Sequence, residues 1–136
     1  MNLIELIEKL NIILTPNSNV LEGKKYLIKY DADDWKKYIK ETDFYEKNLI
    51  YRNDIYEIFL ISWNKDSKTK FHNHPKNGCL LKILEGTLIE SYSISSNITE
   101  LNPNDISHIN HNMYHSITSI NNSYSLHIYS PPLYYN

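Results

Sequence analysis

The chain has 136 residues and a formal net charge of −2, with 14 basic and 16 acidic side chains. This balance leaves no basic field for a nucleic acid or a charged membrane surface, and the length suits one domain with a single core. No apolar run approaches the roughly 20 residues that span a bilayer, and the acidic first segment lacks the lysines of a secretion signal. A single cysteine excludes an internal disulfide, so we predict a cytoplasmic protein without nucleic-acid or membrane partners.

The N-terminal segment predicts an amphipathic helix, with apolar residues at helical spacing from Leu3 to Ile13. Asn2 and Glu5 have the spacing of a helix cap, and Pro16 lies beyond the expected end. A second, shorter helix is predicted to open at residue 33 or 34, with an apolar and a basic face, formed by Trp35, Tyr38 and Ile39 and by Lys36, Lys37 and Lys40.

After residue 43 the sequence changes to β-branched and aromatic runs that are separated by short polar or glycine-containing breaks. Strands are predicted at residues 56–63, 79–84, 87–94, 117–120 and 124–129. Several short strands without helices between them are typical of an all-β barrel or sandwich. We therefore predict one mainly β domain over residues 1–136, with a helical cap and lead-in at 1–48 and a barrel at 49–136.

The sequence His72-Asn73-His74 is the strongest chemical signal in the chain. Alternate side chains of a strand share a face, so both imidazoles can point the same way. Imidazole is the commonest metal ligand in proteins, although a lone pair of this kind also fits two exposed polar residues. A downstream cluster favours the metal interpretation, because a barrel can bring one of its members beside the first pair: His108, His111 and His115.

The motif and its surroundings resemble the cupin superfamily, in which two histidines precede an acidic residue and a glycine at a hairpin turn. Gly86 fits the turn, and Cys79 stands where the glutamate usually lies. Further matching segments narrow the resemblance to the cysteine dioxygenases, over about residues 51–133: Trp63 before the motif, Tyr51-Arg52-Asn53, and Ser125-Leu-His127-Ile-Tyr129-Ser-Pro-Pro132-Leu133. This resemblance implies a cupin-type jelly-roll fold and a monomer.

The resemblance also decides between the downstream histidines. A generic cupin spacing from Pro103 selects His108, whereas the dioxygenase pattern selects His115, directly before an apolar strand. It implies that His72, His74 and His115 hold iron(II), with positions left for substrate and dioxygen, and that the other two are turn histidines. A neutral ligand set leaves more positive charge on the metal than two histidines and a carboxylate, which favours a thiolate ligand.

Other polar residues gain a role through the same resemblance. Ser125, His127 and Tyr129 alternate on one strand face, which would otherwise be a solvent-facing stripe. The resemblance implies that His127 links Ser125 to the Tyr129 hydroxyl, which handles a proton, and that Cys79 can form a thioether with Tyr129. Otherwise Cys79 is a small buried hydrophobe. Arg52, the only arginine, is implied to hold a substrate carboxylate with two hydrogen bonds, where a surface ion pair is the default.

These observations predict an iron(II) dioxygenase that converts L-cysteine and O2 to cysteine sulfinate without an organic cofactor. The alternatives are the same chemistry on another small thiol such as 3-mercaptopropionate or cysteamine, a hydrolytic zinc centre, or a non-catalytic metal-binding cupin. Arg52 favours a substrate with a carboxylate over cysteamine. Ile50 departs from the animal enzymes, which carry a tyrosine there that contacts substrate, and the chain is shorter than they are.

Overall fold

The computed structural model describes residues 1–40 and 43–134, with helical segments first and strands after them. The helical segments are α1 (Leu3–Ile13), a 3₁₀ turn (Val20–Gly23), α2 (Lys24–Lys29) and a second 3₁₀ turn (Asp34–Tyr38). The strands are β1 (Tyr45–Arg52), β2 (Glu57–Trp63), β3 (Cys79–Glu85), β4 (Leu88–Tyr92), β5 (Ile98–Leu101), β6 (Ile106–Ile109), β7 (His115–Ser119) and β8 (Ser123–Tyr129). Within the described ranges, no helix has the length and apolar character needed to cross a membrane.

The first predicted helix is confirmed, including its cap. The Asn2 side chain accepts from the Glu5 backbone N–H, and the Glu5 side chain accepts in return from the Asn2 backbone, which satisfies two donors that a helix start leaves unpaired. The second predicted helix is a 3₁₀ turn, Asp34–Tyr38, with Trp35 buried. The helical residues 20–29 between them were not predicted.

The strands form two antiparallel sheets, one with the order β1-β2-β8-β3-β6 and one with the order β5-β4-β7. Strand β2 shows how the layers are arranged, because its side chains alternate between two apolar clusters. Ile58 and Leu60 pack with the helical segments, whereas Phe59 and Ile61 pack with residues of the three-stranded sheet. Both faces of β2 are therefore covered, and all of its residues are buried.

The predicted turn at Gly86 is present, but it does not close a hairpin. Strands β3 and β4 belong to different sheets, so the chain passes from one sheet to the other at this glycine. Gly86 has a φ of 84°, and a Cβ placed there would lie 2.1 Å from the Ser123 hydroxyl oxygen. Left-handed backbone and close approach both require glycine at this corner.

All five predicted strands are confirmed as β2, β3, β4, β7 and β8, with ends that differ by up to two residues. The prediction missed β1, β5 and β6, each of which lies at the edge of its sheet. Edge strands have one partner and more solvent, so they lack a strong apolar pattern; in β1 only Asn48 is buried. Residues 45–48 of β1 lie on the cap side of the predicted division at residue 48.

A buried lysine joins the helical layer to the larger sheet. The Lys82 ammonium on β3 donates to the backbone carbonyls of Leu27, Ile28 and Tyr30 at 2.9, 3.4 and 2.5 Å. These carbonyls lie at the end of α2, where a helix leaves acceptors unpaired and favours positive charge. Burial lowers the pKa of Lys82, and the charge of Asp31 acts in the opposite direction.

Candidate metal centre

Three histidines meet between the sheets. His72 and His74 lie in an extended segment ahead of β3, and His115 is the first residue of β7. His72 and His115 exchange two backbone hydrogen bonds of 3.0 Å, so a single bridge, not a regular strand, aligns them. One nitrogen of each ring lies within 4.8 Å of the others, a spacing that fits a shared metal ion.

The hydrogen bonds of His72 and His115 fix which nitrogen of each ring carries a proton. Nδ1 of His72 lies 2.8 Å from the Lys70 carbonyl, which can only accept, and Nδ1 of His115 lies 2.8 Å from a carboxylate oxygen of Glu90. Both Nδ1 atoms therefore donate, so in the neutral form of each ring the lone pair lies on Nε2. The two Nε2 atoms face each other at 3.0 Å, and a cation between them would relieve the repulsion of their lone pairs.

His74 supplies a nitrogen without a partner. Its side chain is 2% exposed, and its Nδ1 is buried with no hydrogen-bond partner among the described residues. Burial, followed by the neighbouring His115 and His72, lowers the pKa of His74 to about 2, so the ring is neutral at ordinary pH. The His111 ring nitrogen lies within hydrogen-bond distance of the His74 carbonyl and supports this segment. An orphaned, neutral, buried imidazole nitrogen fits a metal ligand.

Glu90 is the anchor of the centre that the sequence did not predict. It is 2% exposed and accepts from His115 through one oxygen and from the Ser107 hydroxyl, at 2.8 Å, through the other. A carboxylate behind a metal-binding histidine orients the ring and raises its basicity. The available signal was that Glu90 occupies the inward position after Leu88 on β4, where a carboxylate needs a partner.

The residues Ser125, His127 and Tyr129 line one face of β8, as predicted, and form a hydrogen-bonded row. Trp63 Nε1 donates to the Ser125 oxygen at 2.8 Å, and the same oxygen lies 2.7 Å from Nε2 of His127. The Ser125 oxygen therefore accepts from the indole and shares a second hydrogen bond with His127, whose Nδ1 lies 3.2 Å from the Tyr129 oxygen. Burial lowers the pKa of His127 well below its ordinary value and raises that of Tyr129. Both groups are therefore neutral at ordinary pH.

Cys79 and Tyr129 are direct cross-strand partners in the pairing of β3 with β8. The Cys79 side chain is fully buried, burial raises the pKa of its thiol, and the thiol hydrogen-bonds to Tyr129. The Tyr129 ring stacks on His74 with 6.3 Å between ring centres and an interplanar angle of 9°. The pair therefore lies directly beside the three histidines.

A bulge in β1 places Arg52 beside Glu57, a residue of the cavity wall. The pairing register with β2 shifts between Leu49 and Tyr51, so that Arg52 lies opposite Glu57. The Arg52 Nε donates to Glu57 at 2.8 Å, and Glu57 also accepts from the Leu133 backbone at 3.3 Å. A cavity of about 740 Å³ contains the three histidines and is also lined by Lys47 and Glu57. Arg52 does not line this cavity and reaches its wall through Glu57.

His108 and His111 lie outside the cluster of three histidines. His108 lies on β6, where its Nε2 is 2.9 Å from the Asn19 side-chain oxygen, so its assignment to a turn was wrong. His111 does lie in a turn, and it acts on the centre indirectly through the His74 carbonyl. Neither belongs to the cluster of ligating nitrogens.

Two facing antiparallel sheets with histidines from an extended segment and a later strand define a cupin with a candidate metal centre. Solved cupin structures agree with this fold. A cupin protein from Desulfovibrio desulfuricans matches with a TM-score of 0.65 and 13% identity, over 76% of this chain and 98% of its own. A cupin superfamily protein from Desulfitobacterium hafniense matches with a TM-score of 0.61 and 16% identity, over 68% and 82%.

Within the cupins, the chain belongs to the family described as cysteine dioxygenase type I, which matches residues 2–135. Cysteine dioxygenase type 1 of Homo sapiens is 26% identical over 132 residues, which cover 84% of this chain and 66% of the human protein. The Danio rerio protein of the same name is 27% identical over 148 residues, covering 94% of this chain and 74% of its own. The chain thus spans about two thirds of the length of the human relative.

Proposed function

We propose that the protein is an iron(II) thiol dioxygenase that converts L-cysteine and O2 to cysteine sulfinate. The observation that carries the proposal is the meeting in one cavity of three imidazoles and Tyr129, whose cross-strand partner is Cys79. Family membership supports the reaction class. Imidazole ligands suit iron, zinc and copper alike, so the choice of iron(II) rests on the relatives.

In this proposal, His72, His74 and His115 hold the metal, which would bring the substrate thiol and dioxygen together on one centre. Other side chains of the protein orient the metal ligands and the groups around the substrate. Glu90 keeps His115 in the tautomer whose Nε2 faces the centre. The row from Trp63 to Tyr129 holds the phenol at the cavity wall, where its hydroxyl could donate to an oxygen of the reacting group.

We place the substrate carboxylate near Arg52. The guanidinium uses its Nε for Glu57, and among the described residues its two terminal NH2 groups have no hydrogen-bond partner. A planar guanidinium can grip a carboxylate with two parallel bonds. A small ligand that reaches from the histidines toward the β1–β2 wall would bring its carboxylate to this region.

We also propose that Cys79 and Tyr129 become joined by a thioether. In this step a bond forms between Sγ and the ring carbon next to the one that bears the hydroxyl, while the S–H and that C–H bond break. The two protons and two electrons released reduce one dioxygen, which the proposed reaction already uses, to hydrogen peroxide. The direct pairing of Cys79 and Tyr129 across β3 and β8 supports the step. Mass spectrometry after turnover should find the two peptides joined with the loss of two hydrogen atoms, whereas separate peptides of unchanged mass would contradict it.

The test of the main proposal is oxygen uptake by the iron(II)-loaded chain with L-cysteine, 3-mercaptopropionate and cysteamine, with products identified by mass. We expect cysteine sulfinate carrying both atoms from ¹⁸O₂, and loss of this product in His115→Ala. The zinc-loaded chain serves as the control and should be inactive. Full iron occupancy without oxygen uptake on any thiol would overturn the proposal and favour a non-catalytic metal-binding cupin.

A further inference from the structure

Charged residues of β1 and β2 lie at one wall of the cavity, and the net charge of this β1–β2 wall does not depend on Arg52 alone. Arg52 and Glu57 form an ion pair of 2.8 Å, and Glu57 is 4% exposed. Opposite charges at this distance partly cancel toward a third charge a few ångströms away. The pair therefore offers an incoming carboxylate less net attraction than a lone guanidinium would, although the guanidinium keeps hydrogen-bond donors.

Lys47 supplies the charge that remains. It pairs with Ile61 on the inward face of β2, and it lines the same cavity as the histidines. Its ammonium lies 4.8 Å from the centre of the Phe59 ring and 4.7 Å from that of Tyr129. Two ring faces hold a cation by attraction to their π electrons but leave its N–H donors available. Among residues 1–40 and 43–134, no carboxylate lies within ion-pair distance of it.

The position of Lys47 distinguishes it from the other cavity lysines. Lys68 and Lys70 also line the cavity, and all three lysines are exposed, but no contact joins the ammonium of Lys68 or Lys70 to the rings around the metal centre in the described structure. Lys47 instead lies on the ring of Tyr129, which stacks in turn on His74. The ammonium and a candidate metal ligand thus contact the same aromatic ring, and all three residues line the cavity in which a ligand would be held.

We propose that Lys47 is a substrate-binding residue that selects thiols carrying a carboxylate, by completing the carboxylate site beside Arg52. This inference rests on the proposed thiol dioxygenase function. Lys47, Arg52 and Glu57 together carry a net charge of about +1, which matches one carboxylate. Without Lys47 the wall is neutral overall, and an anion brought out of water would remain without a compensating charge.

The test compares Lys47→Gln and Lys47→Arg with the unmodified chain, all loaded with iron(II). Kinetics are measured with L-cysteine and 3-mercaptopropionate, which carry a carboxylate, and with cysteamine, which does not. In Lys47→Gln we expect KM for the two thiol acids to rise on the order of tenfold or more, because a hydrogen bond between charged groups is lost. We expect kcat to change less, KM for cysteamine to stay the same, and Lys47→Arg to recover most of the affinity.

Lys65→Gln is the matched control, because this exposed lysine lies in a turn outside the cavity. Equal effects on thiol acids and on cysteamine, or no effect on either, would overturn the role of Lys47 while leaving the dioxygenase function standing. If the unmodified chain turns over no thiol, calorimetric titration of the metal-loaded chain with 3-mercaptopropionate and cysteamine tests the role of Lys47 in binding. Tighter binding of 3-mercaptopropionate than of cysteamine, with the difference lost in Lys47→Gln, would support the carboxylate site even though the proposed reaction fails. Equal binding of the two thiols by the unmodified chain would overturn the carboxylate site.

Discussion

Acid should destabilise the metal-free protein at a pH where its carboxylates still remain ionised. His74 has a folded-state pKa of about 2, and burial also lowers the pKa of His127 well below its ordinary value near 6.5. The unfolded chain takes up these protons first. The stability that the neutral rings contribute is therefore fully present above pH 6.5 and is lost as the pH falls toward the folded-state values.

The size of the loss follows from the proton uptake of the unfolded state. Between pH 7 and pH 5, each buried neutral histidine with an unfolded pKa of 6.5 lowers the free energy of unfolding by about 2 kcal/mol. His74 and His127 together give about 4 kcal/mol, a large share of the roughly 5–15 kcal/mol that stabilises a domain. Burial also lowers the pKa of His72, which adds to the loss in the same direction.

This loss is measured by urea unfolding at pH 7, 6 and 5 with a metal chelator present, with tryptophan fluorescence as the signal. The variant His127→Gln keeps an amide that can bond to Ser125 and Tyr129 but does not titrate, so its loss between pH 7 and pH 5 should be smaller by about 2 kcal/mol. The comparison uses the slope with pH, so a uniform destabilisation of the variant does not affect it. Equal pH dependence in the two proteins would refute the reasoning.

Three further substitutions test other parts of the structure. Glu90→Gln should weaken metal binding about 10- to 100-fold, because a carboxylate no longer orients His115; competition with a chelator measures this, and an unchanged dissociation constant would contradict the assigned role. Gly86→Ala should lower the free energy of unfolding by about 1–3 kcal/mol, since its Cβ meets Ser123 in a left-handed backbone; an unchanged urea midpoint would be contrary. Lys82→Met should cost about 1–3 kcal/mol, because backbone acceptors lose their donor; chemical unfolding that matches the unsubstituted chain would speak against this.

The sequence predicted the central strands and the pair His72 and His74 because both depend on local spacing, whereas the choice of His115 over His108 came from the resemblance to the cysteine dioxygenases. Alternation brings His72 and His74 to one side, and an apolar strand follows His115 directly. The mostly buried strands β2 and β3 have largely continuous apolar runs because layers cover both of their faces. In these segments the structure that the local residue pattern favours is also the one that the surrounding layers require.

The parts that the sequence did not predict depend on contacts between distant segments. Glu90 resembles an ordinary strand carboxylate until its position behind His115 is known. Lys47 is an exposed residue of an edge strand, so nothing nearby in sequence indicates that its ammonium contacts the rings of Phe59 and Tyr129. The bulge that turns Arg52 toward Glu57 is likewise a property of strand register, which residue types in β1 alone do not specify.

The Lys82 ammonium has a consequence for how the molecule opens. Strand β3 directs Lys82 and Leu80 toward the helical layer, while Cys79 faces the metal centre from the same strand. If α2 moves away, the ammonium loses its acceptors, and a strand that helps to form the cavity loses its support. We therefore expect native-state hydrogen exchange to show the amides of α2 and β3 opening as one cooperative unit, so that fluctuations of the helical layer and access to the cavity are the same event.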